Sequence, residues 1–255
     1  MPVAPRPSVA SVYLNRTMAA LALLGFGSGL PLALTGDTIQ AWLRSKAYAL
    51  DTVGFITLVG LPYSFQVVWA PIVDRYSPRL GTLGRRRSWL LLTQSILVVA
   101  IAAMALFGPE TPGASLWLLA GTAVAVAFVS ATQDIASNAY RTDVLPDAER
   151  GAGAAVFVTG YRLAMIATGA GVLALSAVVS WRWAYLAAAG AMLIGLVGTA
   201  LAPEPRDAHA APATIGDAVI EPLRAFLARP EGWLILVFVL LFKLPDYLAG
   251  RMTMP

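Results

Sequence analysis

Long apolar runs separated by short polar or basic segments fill the chain. The runs lie at about 17–43, 52–73, 88–107, 115–141, 152–179, 183–202 and 232–250. Each holds roughly 20 residues or more, the length an α-helix needs to cross ~30 Å of hydrocarbon. Backbone groups in hydrocarbon must be satisfied within their own segment, so the runs are predicted to be helices of an all-α membrane protein. Residues 1–16 form a polar tail and 17–202 a bundle of six spans. Residues 203–231, with Pro203, Pro205, Pro212, Pro222 and Pro230, read as a linker, and 232–255 as the first span of a second bundle.

Basic residues orient the spans. With the N-terminus inside, twelve of the eighteen Lys and Arg side chains fall in inner segments and four, Arg44, Lys46, Arg182 and Arg251, outside. The excess predicts a cytoplasmic N-terminus. The first run follows Arg6 and Arg16, but it is too long for the core of a signal peptide and six more runs follow it. It is expected to be retained.

Composition narrows the chemistry. The chain of 255 residues is 58% hydrophobic and 13% charged, with mean hydropathy +0.71, against about 25% charged in a soluble domain. A soluble enzyme is excluded. The net charge of +4 and pI of 9.6 come from loop residues that set topology, so no nucleic-acid partner is expected. With no Cys and the single His209, no thiolate, haem or zinc chemistry is available, and no metal or cofactor is predicted.

Gly and Pro recur inside the spans: Gly25 and Gly29 at small-xxx-small spacing, Pro31, Pro62, Pro71, Gly169 and Gly171. Close helix packing accounts for most of them. A short internal repeat is also present. Thr35-Gly36-Asp37 in the first span matches Thr132-Gln133-Asp134 in the fourth, and Phe55-Ile56-Thr57 in the second matches Phe157-Val158-Thr159 in the fifth. The shared offset of three spans predicts a 3+3 inverted repeat.

Polar residues within the spans are the functional candidates. Positions i, i+4, i+7 and i+11 share a helix face. On the fourth span that face reads Ser130, Asp134, Ser137 with Asn138, and Arg141, with Gln133 and Tyr140 at its edge. A carboxylate facing lipid costs about 2.5–3.5 kcal/mol or more, so the face must meet protein or water. Asp134 then either pairs with a base to hold helices together or handles substrate or protons, and the second reading is the default for an intramembrane acid. With no His in any span, proton coupling needs a carboxylate, which makes Asp134 and Asp37 the candidates. Gln133, Gln40, Ser137, Asn138, Tyr161, Arg162, Lys243 and Asp246 are the candidate substrate contacts. Lys243 and Asp246 are spaced i,i+3 and can neutralise each other. Arg162 has no acid nearby in sequence and needs Asp37 or Asp134 across the bundle, or an anionic ligand. An intramembrane enzyme would need paired carboxylates, a Ser/His arrangement or metal ligands, and helix spacing does not bring Asp37 and Asp134 together.

The segment from Asp74-Arg75-Tyr76 to Gly84-Arg85-Arg86-Arg87 carries five basic residues, more than topology requires. It resembles the signature loop of the major facilitator superfamily, an aspartate-arginine pair followed by glycine and further basic residues. Here Ser77 to Leu83 lengthen the spacing, and Ala70 stands where glycine is common. Asp74, Arg75, Arg85, Arg86 and Arg87 are the expected conformational latch. The stretches Gly25–Thr35, Ser130–Ile135, Arg141–Pro146, Glu149–Ala155 and Leu201–Pro205 resemble the AmpG-type muropeptide permeases, from about residue 20 to the C-terminus.

The resemblance implies a major-facilitator-type six-helix bundle and proton-driven import of anhydro-muropeptides across the bacterial inner membrane. The cargo would be N-acetylglucosamine linked to anhydro-N-acetylmuramic acid, with or without peptide, feeding cell-wall recycling and β-lactamase induction. The family motif carries over onto Gln133 and Asp134, whereas Asp37 stands where a small uncharged residue is expected. Muropeptide, protons and membrane lipid are the implied partners. Such permeases have two six-span bundles, so the second wall of the path would come from a missing second bundle or a partner half. A carrier of another anion, such as an acyl-coenzyme A, and a half-transporter without transport activity are the alternatives.

Overall fold

The computed structural model describes residues 12–78, 80–205, 220 and 224–252, with the side chains of the last helix described as far as Phe242. The described residues are helical with no strand. Six helices are long and apolar enough to cross a membrane: α1 Arg16–Ser45, α2 Leu50–Val68, α3 Arg85–Leu106, α4 Leu116–Val144, α5 Asp147–Val178 and α6 Trp181–Leu201. They match the six predicted spans to within a few residues. A seventh helix, α7 Gly232–Met252, belongs to a second compact unit that begins at Ala211.

Asn15 caps α1 by accepting a hydrogen bond from the Met18 amide at 2.9 Å. Pro31 removes one backbone donor, and the helix widens into a π-helical segment at Leu34–Thr38, with Gly36 at φ −93°, ψ −112°. Tyr185 of α6 donates to the Leu34 carbonyl at 3.1 Å, as the exclusion of water requires. Beyond the kink, Ile39–Ser45 is anchored by Trp42, whose ring lies 4.7 Å from Tyr185 and 6.0 Å from Trp181. In α2, Gly60 and Pro62 interrupt the α-helix with 3₁₀ turns at Thr57–Gly60 and Gln66–Val68, and the short helix Ala70–Arg75 follows.

Helix α1 is the hub. Of its apolar window 61% is buried, against 17% in α2 and in α5. Glycines allow the approach: a Cβ on Gly25 or Gly29 would collide with the backbone of Phe157 or Tyr161, and one on Gly160 with that of Ala22. Gly27 likewise meets Gly195 of α6. The sequence expectation of close packing at Gly25 and Gly29 thus has a partner, α5. Gly169 and Gly171 lie within a different feature, a second π-helical segment at Ala167–Gly171.

The motifs matched as a repeat differ locally. Thr35-Gly36-Asp37 occupies the α1 kink, whereas Thr132-Gln133-Asp134 lies in uninterrupted α-helix. The start of the predicted linker is part of the bundle: Tyr140 donates to the Pro203 carbonyl at 2.8 Å and Arg87 pairs with Glu204 at 3.2 Å. The N-terminal tail before residue 12 and residues 206–219 of the linker lie outside the described residues.

Candidate functional site

The fourth-span face divides in two. Ser137 and Gln133 are fully buried at the α1 contact, where the Ser28 hydroxyl lies 3.3 Å from both the Ser137 hydroxyl and the Gln133 amide nitrogen. Asp134 is half-buried, with Ser28 as the polar group beside its carboxyl. Asn138 is exposed. Arg141 lies over the Phe157 ring at 5.1 Å. Gln133, expected to meet cargo, therefore sits between helices, because its neighbours on α1 are small enough to admit it.

Two phenols complete the surroundings of Asp134. Tyr63 of α2 and Tyr161 of α5 both lie within electrostatic reach of its carboxyl. Tyr63 also approaches Ser130 and Thr35. Asp134 is thus ringed by hydroxyls from α1, α2 and α5, and no ion pair to it occurs among the described residues. Sequence reasoning missed Tyr63, Ser28 and Thr35. A lone tyrosine and small hydroxylated residues are ordinary in apolar helices, and only the fold brings Ser28 and Tyr63 to one acid and Thr35 to Tyr63.

The remaining candidates are dispersed. Asp37 is exposed at the α1 kink and Gln40 is half-buried a turn further on. Arg162 is exposed and forms no ion pair among the described residues, so the expected pairing with Asp37 or Asp134 is not formed. The two acids lie on different elements, α1 and α4, and the Asp134 environment consists of hydroxyls. The side chains of Lys243 and Asp246 lie outside the described residues.

The basic loop is brought onto three helix ends. Arg86 bonds Asp74 through Nη1 at 2.6 Å and Asp143 of α4 through Nε at 3.0 Å. Arg87 donates to the Thr199 carbonyl of α6 at 3.2 Å and pairs with Glu204. Arg75 lies over the neighbouring Tyr76 ring at 5.8 Å. Asp143, Thr199 and Glu204 are the partners that the loop sequence alone did not identify. A cavity of about 640 Å³ opens beside them, lined by residues that include Thr17, Asp143, Arg150 and Glu204. It lies at the helix ends and not at Asp134.

The opposite end carries a second clasp. Lys46 pairs with Glu110 at 3.1 Å, and the other Glu110 oxygen accepts from the Arg182 amide at 3.0 Å, at the first turn of α6. Burial raises the Glu110 carboxyl, but hydrogen bonds from Arg182 and Lys46 outweigh it and leave the group below its ordinary value.

Residues 12–244 match the sequence profile of the Major Facilitator Superfamily. The chain belongs to the major facilitator superfamily. Its similarity extends to the anhydromuropeptide permease of Escherichia coli (strain K12), 48% identical over 243 residues that cover 95% of this chain and 48% of the relative. An uncharacterized protein of Haemophilus influenzae is 37% identical over 95% of this chain and 57% of its own length. The putative transporter AmpG 4 of Rickettsia felis is 30% identical over 97% and 61%. The chain therefore spans about half to three-fifths of these relatives' length. The family is one of transporters, which sets aside an enzymatic reading, and with six apolar helices the chain is a multi-pass inner-membrane protein.

Proposed function

We propose that the protein imports anhydro-muropeptides across the inner membrane, driven by the proton gradient, with its N-terminus in the cytoplasm. The observation that carries this reading is the half-buried Asp134 carboxyl among hydroxyls, in a bundle 48% identical to an anhydromuropeptide permease. An acid with no cationic partner can exchange a proton as its access alternates.

Exposed Asn138 and Arg162, with half-buried Tyr161 and Gln40, are the proposed cargo contacts, with Arg162 reading an anionic group. Buried Gln133 and Ser137 are assigned to positioning Ser28 beside Asp134. Exposed Asp37 is the proposed point of proton entry. The Asp74, Arg75 and Arg85–Arg87 group is proposed to set the inward/outward equilibrium, because its bonds join helix ends and not cargo-facing positions.

Uptake of labelled anhydro-disaccharide into vesicles, with and without a proton gradient, tests the reading. Asp134→Asn is expected to abolish accumulation while keeping exchange of bound substrate, since exchange requires no net proton movement. Accumulation by Asp134→Asn that still collapses with a protonophore would overturn the assignment.

A further inference from the structure

Three hydroxyls on α1, α2 and α4 are buried and unpaired among the described residues. Thr38 Oγ1, Tyr63 OH and Ser130 Oγ are sealed from solvent and make no hydrogen bond among the described residues. Leaving a buried hydroxyl unpaired costs about 1–3 kcal/mol, and most such groups in folded proteins have a partner, often an internal water. Here three occur on three helices.

Their placement forms a series. Thr38 closes the π-helical segment of α1, next to exposed Asp37. Thr35, one turn back on the same segment, donates to the Pro31 carbonyl at 2.9 Å and keeps its oxygen free to accept. Tyr63 lies beside Thr35, Ser130 and Asp134. Ser130 is one helical turn from Asp134 on α4. The series therefore runs from a carboxylate open to solvent to one held inside the bundle.

These groups are unsuited to cargo. The first bundle alone shields them, so a sugar moving along an open face of the bundle would not reach them. Their surroundings are also where the backbone is least regular, at the α1 kink and between the 3₁₀ turns of α2. Such interruptions are tolerated in a membrane where neighbours or water satisfy the freed groups.

We infer that Thr38, Tyr63 and Ser130, bridged by internal water, form a proton route inside the bundle wall from Asp37 to Asp134, separate from the path of the cargo. The route rests on the proton-driven reading. A proton delivered at the Asp37 end is accepted by the first oxygen, which passes on its own proton. After the last transfer Asp134 has gained one proton, the medium has lost one, and every hydroxyl is restored. The tyrosine ring spans the gap between α1 and α4 that the two short side chains cannot.

The test uses the full-length transporter in proteoliposomes, with Tyr63→Phe, Ser130→Ala and Thr38→Val. Gradient-driven accumulation of labelled anhydro-disaccharide is expected to slow about tenfold in Tyr63→Phe, equivalent to about 1.4 kcal/mol in barrier. Exchange of the same substrate across equal pH is expected to stay within about twofold. Melting temperatures close to that of the unaltered protein are expected, which separates a transport defect from misfolding. Equal losses of exchange and accumulation would make Tyr63 a cargo or structural residue and overturn the route. Wild-type accumulation by all three variants would do the same. If instead the unaltered protein accumulates substrate without regard to the gradient, the proton-driven reading itself fails and takes the route with it.

Discussion

At Arg86 one guanidinium serves two carboxylates from different elements, and the two are not equivalent. The Asp143 side chain is 7% exposed and that of Asp74 37%. Breaking a buried pair leaves an uncompensated charge and costs about 3–5 kcal/mol, whereas an exposed pair is worth about 0–1 kcal/mol. Asp143→Ala is therefore expected to lower the unfolding temperature several degrees more than Asp74→Ala, read in detergent by thermal denaturation. Asp74→Asn should slow transport with little change in substrate affinity, as a latch requires. A large affinity loss with intact turnover would assign the loop to binding. The sequence made the basic cluster legible because charge is local information. It did not reveal Asp143, since no spacing rule links residues 57 positions apart.

Among the elements, α1 shows how packing and conformational freedom are combined. Its first half is locked by glycine contacts with α5 and α6, and its second half bends at Leu34–Thr38. Gly160→Val would drive a branched side chain into the Ala22 backbone, an overpacking that costs about 1–3 kcal/mol or more. Loss of folded protein on size exclusion, with Gly190→Val tolerated because its surroundings are open, is the expected pattern. The end of α1 depends on Glu110. Its carboxyl is lower in the folded state than its ordinary value, so its stabilising effect is complete above the unfolded pKa of about 4.3 and is lost as pH falls through the folded one. Unfolding temperatures measured from pH 7 to about pH 3 should therefore fall more steeply for the unaltered protein than for Glu110→Gln.

For the whole molecule, orientation is the open quantity that a direct measurement fixes. The chain has no cysteine, so single substitutions report cleanly. Ala148→Cys, exposed in the first turn of α5, should react with an impermeant thiol reagent only from the cytoplasm, and Ser115→Cys, exposed at the start of α4, only from the periplasm. Gly113 is a poorer probe site because its φ of +73° strains any side chain. The reverse labelling pattern would invert the proposed entry side of the proton route along with the topology.

The sequence by itself determined the membrane class and the six spans, and it singled out Asp134 as a candidate, because hydropathy and the cost of a buried charge are properties of short stretches of chain. It also carried enough family pattern in Ser130–Ile135 and the Arg85–Arg87 loop to point to the major facilitator superfamily. Only the tertiary structure decided which polar residues share a site. It moved Gln133 into the α1–α4 contact, left Arg162 without Asp134, and brought Ser28 and Tyr63 to the acid, with Thr35 beside Tyr63. Helical periodicity fixes which face of its own helix a residue occupies. Which neighbour that face meets depends on how close Gly25, Gly29 and Gly160 let the helices come, and that is set by backbone contacts between segments far apart in the chain.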